Sequence, residues 1–447
     1  MKYLVFIVAA MGVFPFSFLL SQNKKWIRYA FIGIVAAMCM YIPTSINFFS
    51  HESYRGSARG MEVSLAYLMA FSVIGALLFS RRFKRWIPDW GARLYLIYFL
   101  LCLPSLSSAE NLLISWFEIW KMIMLFFFYV SVYNYLRATD DIKSVLAYLA
   151  IFAIINMLVI AKNHLSGIYQ PHGVFPHQNS MAVAMHLFGT LFFAAYFTRG
   201  YDSFTNKLYS FAFACAAAAT VRSYSRMALA LMPIGYGIPY LICIFMKRPQ
   251  KWLWRTLPLV LAGLLAMAVV LPRIIERFLN ASEASGNTRV ELALCAWEMI
   301  KDEPLRGVGI NNWGIKINPP YEYAENANRF TNRGEDFEDG VVETVYLLVC
   351  AECGIPALIA MLAWFGWYYL KSFSLISRLK DSEWFFIPVG LLGGLTITFM
   401  QSCFEWVLRQ QLNLICLMFI FAIISYLDKS TFVQNKIAKE AKARCAA

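Results

Sequence analysis

The chain has 447 residues, of which 60% are apolar and only 15% charged, and its mean hydropathy is +0.55. Soluble globular domains sit at roughly 45–50% apolar and about 25% charged, so a single water-soluble core is excluded and a lipid bilayer is the natural solvent. The formal charge of +13 lies in short connections between apolar runs, with no RNA- or DNA-binding motif, so no nucleic acid is expected as a partner.

Apolar runs of roughly spanning length, about 20 residues, lie near 3–21, 28–46, 61–80, 93–109, 116–135, 143–163, 180–198, 206–221, 226–246, 255–272, 342–370, 384–402 and 408–427. The expected fold class is therefore all-α: a polytopic membrane protein with about 12–13 transmembrane helices. The first run starts at Met1-Lys2 without a small-residue cleavage site and reads as a retained span. Lys and Arg mark the cytoplasmic side. Arg81-Arg82-Phe83-Lys84-Arg85 is the strongest such mark, and Lys24-Lys25, Lys247-Arg248 and the tail with Lys436, Lys439 and Lys442 count to the same side. The connections near 47–60, 105–115, 164–179, 222–225, 272–341 and 403–407 then face the exterior. Three regions follow: N-terminal transmembrane helices over 1–271, one large periplasmic loop with short helices over 272–341, and C-terminal helices with a basic cytoplasmic tail over 342–447.

The ten cysteines scatter through apolar runs, as small hydrophobes do. Cys350-Ala351-Glu352-Cys353 has redox spacing but lies on an expected span. His177 is read as a packing residue and not a metal ligand, and neither metal nor cofactor is expected. Within the large loop an amphipathic helix is expected from about Thr288 to Ile300. Asn287 would be its N-cap, and Val290, Leu294 and Trp297 share one stripe. Pro304 stops it, and Gly307 and Gly309 suit a tight turn with close backbone approach. The acidic run Glu335-Asp336-Phe337-Glu338-Asp339 closes the loop ahead of Glu343.

Five features on the expected outer side could carry chemistry. They are Arg55 and Arg59 before the third run, Phe175-Pro176-His177-Gln178-Asn179, Ser223-Tyr224-Ser225-Arg226, Arg289, and Glu343-Thr344. An arginine at a membrane end is costly unless paired or wet, and a guanidinium grips phosphate bidentately. Several on the side that should be poor in cations point to a bound anion. Plainer roles stand beside this one. Arg226 can cap or snorkel, Arg289 can pair with Glu291 or Glu298, and Glu343 suits a helix N-terminus. His177 can be a packing residue, Arg55 and Arg59 can meet lipid headgroups, and the acidic run can be a solvated loop.

The order of these motifs resembles the O-antigen ligase and O-antigen polymerase superfamily of bacterial envelope glycosyltransferases. The matching pieces are Phe175-Pro176-His177-Gln178-Asn179, Ser225-Arg226 heading a span, Arg289 followed by Trp297, Pro304 to Gly309, and Glu352-Cys353-Gly354-Ile355-Pro356. The resemblance implies an enzyme of the bacterial cytoplasmic (inner) membrane with its active site on the periplasmic side. It implies an undecaprenyl-diphosphate-linked glycan as donor, and lipid A-core, a glycan or a protein as acceptor. The family's outward arginines bind the pyrophosphate, a role that falls here to Arg226 and Arg289. Where the family has His-Asn this chain has Glu343-Thr344, and a glutamate can also serve as general base. Asp336 and Asp339 are alternative carboxylates. The catalytic candidates are thus Glu343, Arg289 and Arg226, and the substrate-binding candidates Arg55, Arg59, His177, Asn179, Ser225, Asp336 and Asp339. A polysaccharide polymerase, a flippase of lipid-linked glycan and an inactive scaffold are the alternatives. A flippase would gather ionisable groups at the midplane between internal repeats, and no repeat is evident.

Overall fold

A computed structural model describes residues 2–51, 53–87, 89–199, 203–247, 253–261, 263, 271, 272, 275, 283–326 and 341–430. Among them regular structure is almost wholly helical, so the all-α expectation holds. Twelve of the expected apolar runs each coincide with a helix. The run near 255–272 falls largely outside the described residues. Among the described residues eight helices are long and apolar enough to cross a membrane. Three of the others miss that mark for plain reasons. Leu65–Phe79 and Phe386–Gln401 have 15 and 16 residues, which at about 1.5 Å per residue fall short of a bilayer core of about 30 Å. Lys24–Cys39 opens on Lys24, Lys25 and Arg28. The chain is a multi-pass membrane protein.

The described contacts divide the chain into two compact units. One comprises Met1–Asp140, Ala284–Tyr368 and Ser402–Tyr426, the other Asp141–Glu283, Tyr369–Gln401 and Leu427–Ala447. In the first, the helix Leu112–Thr139 runs buried for most of its length. Tyr135 on it stacks on Phe31 at 3.9 Å. A two-stranded antiparallel ribbon pairs Ile46–Phe48 with Met61–Val63 in the register Ile46 to Val63. The ribbon closes the loop that carries Arg55 and Arg59. In the second unit the helix Gln178–Thr198 is the buried centre and packs on Phe204–Arg222 and Phe386–Gln401. A Cβ on Gly390 would stand 2.4 Å from the Leu191 Cα, so only glycine permits this helix approach. Close packing through small residues is how helices associate without a hydrophobic driving force between them.

The loop helix differs from expectation. It runs Glu283–Asp302, so Asn287 lies inside it and is not its cap. Its stripe of Val290, Leu294 and Trp297 does share one face, but those side chains are 61%, 47% and 51% exposed. The buried face is instead Leu292, Cys295, Ala296, Met299 and Ile300, packed with Val308, Trp313, Val342 and Leu348. The helix has two apolar faces, and the longer one at i, i+3, i+4, i+7, i+8 spacing wins the core. The other face is left outward beside Arg289.

Candidate functional site

Two of the sequence motifs interlock. Val308 N–H donates to the Ala351 carbonyl (2.9 Å), Gly309 N–H to Glu352 (3.1 Å), and Ile355 N–H to Pro304 (2.8 Å). Gly307 and Gly354 both have positive φ, +73° and +82°, a region that side chains with a Cβ rarely enter. A Cβ on Gly307 would meet the Glu352 carbonyl carbon at 2.3 Å, and one on Gly354 the Leu305 oxygen at 2.3 Å. Each glycine is thus required by the other motif's backbone. Gly354 also interrupts the helix Val345–Arg378, so Val345 to Cys353 forms a separate short arm leading from Glu343.

This interlock is seated on a buried charge cluster that sequence reasoning missed. Arg409 Nη2 reaches Glu352 Oε2 at 2.5 Å, and its Nη1 lies 3.5 Å from Glu118 Oε1. Lys121 pairs with Glu118 at 2.6 Å and donates to the Arg409 carbonyl at 2.9 Å. Two carboxylates face two cations, as buried charges require. Asn311 ties the cluster to the neighbouring loop. Its Nδ2 donates to the Ala58 and Ile114 carbonyls at 2.8 Å each, and its Oδ1 accepts from Ser57 Oγ at 3.0 Å and Ala58 N at 3.1 Å. The available signal was Glu118 and Lys121, three apart inside an apolar helix, where unpaired charge is too costly to persist. Arg55 and Arg59, on the loop so anchored, are both exposed.

Above the arm, two expected catalytic residues meet. Glu343 stands at the bend before Val345, whose N–H donates to the Ser402 carbonyl at 3.1 Å. Arg289 Nε, from the loop helix, forms an ion pair with Glu343 Oε2. The two side chains are 37% and 34% exposed, so the pair sits at the boundary between protein and solvent. Glu298, one of the two acidic residues weighed as partners of Arg289, pairs with Lys301 at 2.8 Å. A half-exposed guanidinium can exchange a carboxylate for a phosphate, and the released carboxylate can accept a proton.

The second unit holds the remaining candidates. Phe175 is fully buried, in a turn where Asn156 Oδ1 accepts from Val174 N at 3.3 Å. His177 caps the helix Gln178–Thr198 by accepting from Asn179 N at 3.3 Å. Among the described residues no group of His, Cys, Asp and Glu could hold a metal. Ser225 is buried, and its Oγ accepts from Ala228 N at 3.4 Å at the start of the helix Arg226–Lys247. Arg226 is half-buried in the first turn of that helix. A further arginine, not singled out from sequence, lies one turn before it. Arg222 donates to the Tyr224 hydroxyl at 2.5 Å and to His164 Nδ1 at 2.6 Å, and Tyr224 stacks on Tyr169 at 5.9 Å. Asp336 and Asp339 lie outside the described residues.

Residues 211–362 match the family model for O-antigen ligase. The matched stretch includes Ser225-Arg226, Arg289, the interlocked motifs and Glu343. No curated protein matches the chain. The match favours a membrane glycosyltransferase of ligase or polymerase type in general, acting on lipid-linked glycans and polysaccharides. Over residues 211–362 the chain is similar to the O-antigen ligase domain, and this supports a place in the O-antigen ligase superfamily.

Proposed function

We propose that the protein transfers a glycan from a polyprenyl-diphosphate donor to an acceptor hydroxyl on the periplasmic face of the inner membrane. The observation that carries this reading is the half-exposed Arg289–Glu343 pair. The donor's diphosphate takes the place of Glu343 on Arg289. Glu343 then accepts the proton of the acceptor hydroxyl, whose oxygen attacks the anomeric carbon. The bond from that carbon to the diphosphate oxygen breaks, and the guanidinium stabilises the charge growing on the leaving group. The exposed stripe of Val290, Leu294 and Trp297 follows Arg289 on the same helix and offers apolar surface to the donor's lipid chain. Arg226 is a second candidate for the diphosphate, as the resemblance implies.

Reconstitution in proteoliposomes with an undecaprenyl-diphosphate oligosaccharide and lipid A-core tests the reading. Transfer is expected from the unaltered protein. It should fall steeply in Arg289→Lys, because an ammonium lacks the bidentate fork. Movement of the lipid-linked glycan across the bilayer with no transfer would replace the reading with a flippase. Products extended by many repeats on a glycan acceptor would assign the polymerase form.

A further inference from the structure

Beyond the Asn311–Asn312 turn the loop builds a cleft of about 510 Å³. Tyr321 and Tyr323 line it, their rings stacked 6.3 Å apart with 12° between their planes. Glu298, Asp302, Glu322 and Asn326 stand around them. Both rings are fixed through their hydroxyls. Tyr321 donates to Glu110 at 2.5 Å, and Tyr323 donates to Asp302. Lys316 backs the Tyr321 ring at 4.1 Å. Partial burial and the bond to Asp302 raise the Tyr323 phenol, and the bond to Glu110 holds Tyr321 up to about 12, so both remain uncharged at physiological pH.

The chemistry of this lining is unlike that of the Arg289 site. Flat aromatic faces with partial negative charge attract the polarised C–H bonds of a pyranose ring. Carboxylates and an amide around them accept and donate hydrogen bonds to ring hydroxyls. The one ammonium at the wall, Lys301, is paired with Glu298 at 2.8 Å, so Asp302 and Glu322 leave the wall net negative, and it would repel a diphosphate. A cleft of this size takes about two or three sugar rings on the scale of small-molecule sites.

We infer that the cleft binds an uncharged saccharide, stacked on Tyr321 and Tyr323 and hydrogen-bonded to the acidic wall. Resting on the glycosyl-transfer reading, this is where the acceptor glycan docks while Arg289 handles the donor. Two chemically opposed surfaces on one loop keep each substrate out of the other's place.

Saturation-transfer NMR on the full chain in lipid nanodiscs tests the inference, with chitotriose and maltotriose as probes and choline as the cationic control. Saturation should reach the sugar C–H protons in the unaltered protein. The double variant Tyr321→Ala/Tyr323→Ala should weaken sugar binding by about tenfold or more in protein that remains folded, with some loss of melting temperature because Tyr323 packs against the loop core. Tyr321→Phe/Tyr323→Phe keeps the rings and should retain binding. The inference is overturned if neither sugar is saturated, if the alanine double variant binds as well as the unaltered protein, or if choline alone is saturated. Its fate is separable from that of the transfer reading. Loss of sugar binding sites with transfer intact removes only the cleft, and sugar binding without any transfer removes only the enzyme.

Discussion

Arg289 and Glu343 are each held by the other before any substrate arrives, and that pairing has measurable consequences. Glu343→Gln keeps the shape and removes the charge. Transfer should drop by about 10²-fold, the lower end of what a general base supplies. Binding of a soluble diphosphate such as farnesyl diphosphate, followed by calorimetry, should be retained or tightened, because the competing carboxylate is gone. Glu343→His should keep substantial transfer. A wild-type rate in Glu343→Gln would move the base elsewhere, with Asp336 and Asp339 next to test. Both residues were legible in the sequence because polar residues stand out in so apolar a chain. Their pairing was not, because a local reading ranked neighbours such as Glu298 above a partner on another element. The charges of Glu118, Lys121 and Arg409 were visible too, yet nothing in one chain segment says which distant carboxylate closes such a cluster.

At the scale of elements, the fold rests on the glycine interlock and the charge cluster beneath it. Gly354→Ala combines strained positive φ with a clash at 2.3 Å, so about 2 kcal/mol or more of stability should be lost. Gly366, which has nothing within 4 Å of an added Cβ, is the control, and Gly366→Ala should leave stability unchanged or slightly raised. Thermal unfolding in detergent compares the two, and equal melting temperatures would refute the interlock. Arg409→Met leaves Glu118 and Glu352 buried without their shared cation. A loss of about 3–5 kcal/mol is expected from removing one partner of a buried pair, and the same assay reads it. Periodicity located the loop helix and one of its apolar stripes, but not the face that is buried. Val290, Leu294 and Trp297 obey helical spacing as well as Leu292, Cys295 and Met299 do, and only packing against Val308 and Trp313 decides between them.

For the whole molecule, composition alone was enough to assign the membrane class, since apolar runs of spanning length have few other uses. The assembly of the first unit from three separated stretches was out of reach, because helix periodicity carries no record of which distant helix each face meets. Orientation is a prediction from the Lys and Arg bias. In a background without native cysteines, an impermeant maleimide should label Ser285→Cys in intact cells and leave Arg82→Cys unlabelled; the reverse pattern would invert the orientation. The most direct test of the central claim is a single-turnover assay in proteoliposomes, with a radiolabelled undecaprenyl-diphosphate oligosaccharide and a lipid A-core acceptor. Label should appear on the acceptor with the unaltered protein, and transfer should be strongly reduced in both Arg289→Lys and Glu343→Gln. Undiminished transfer in both variants would contradict that claim.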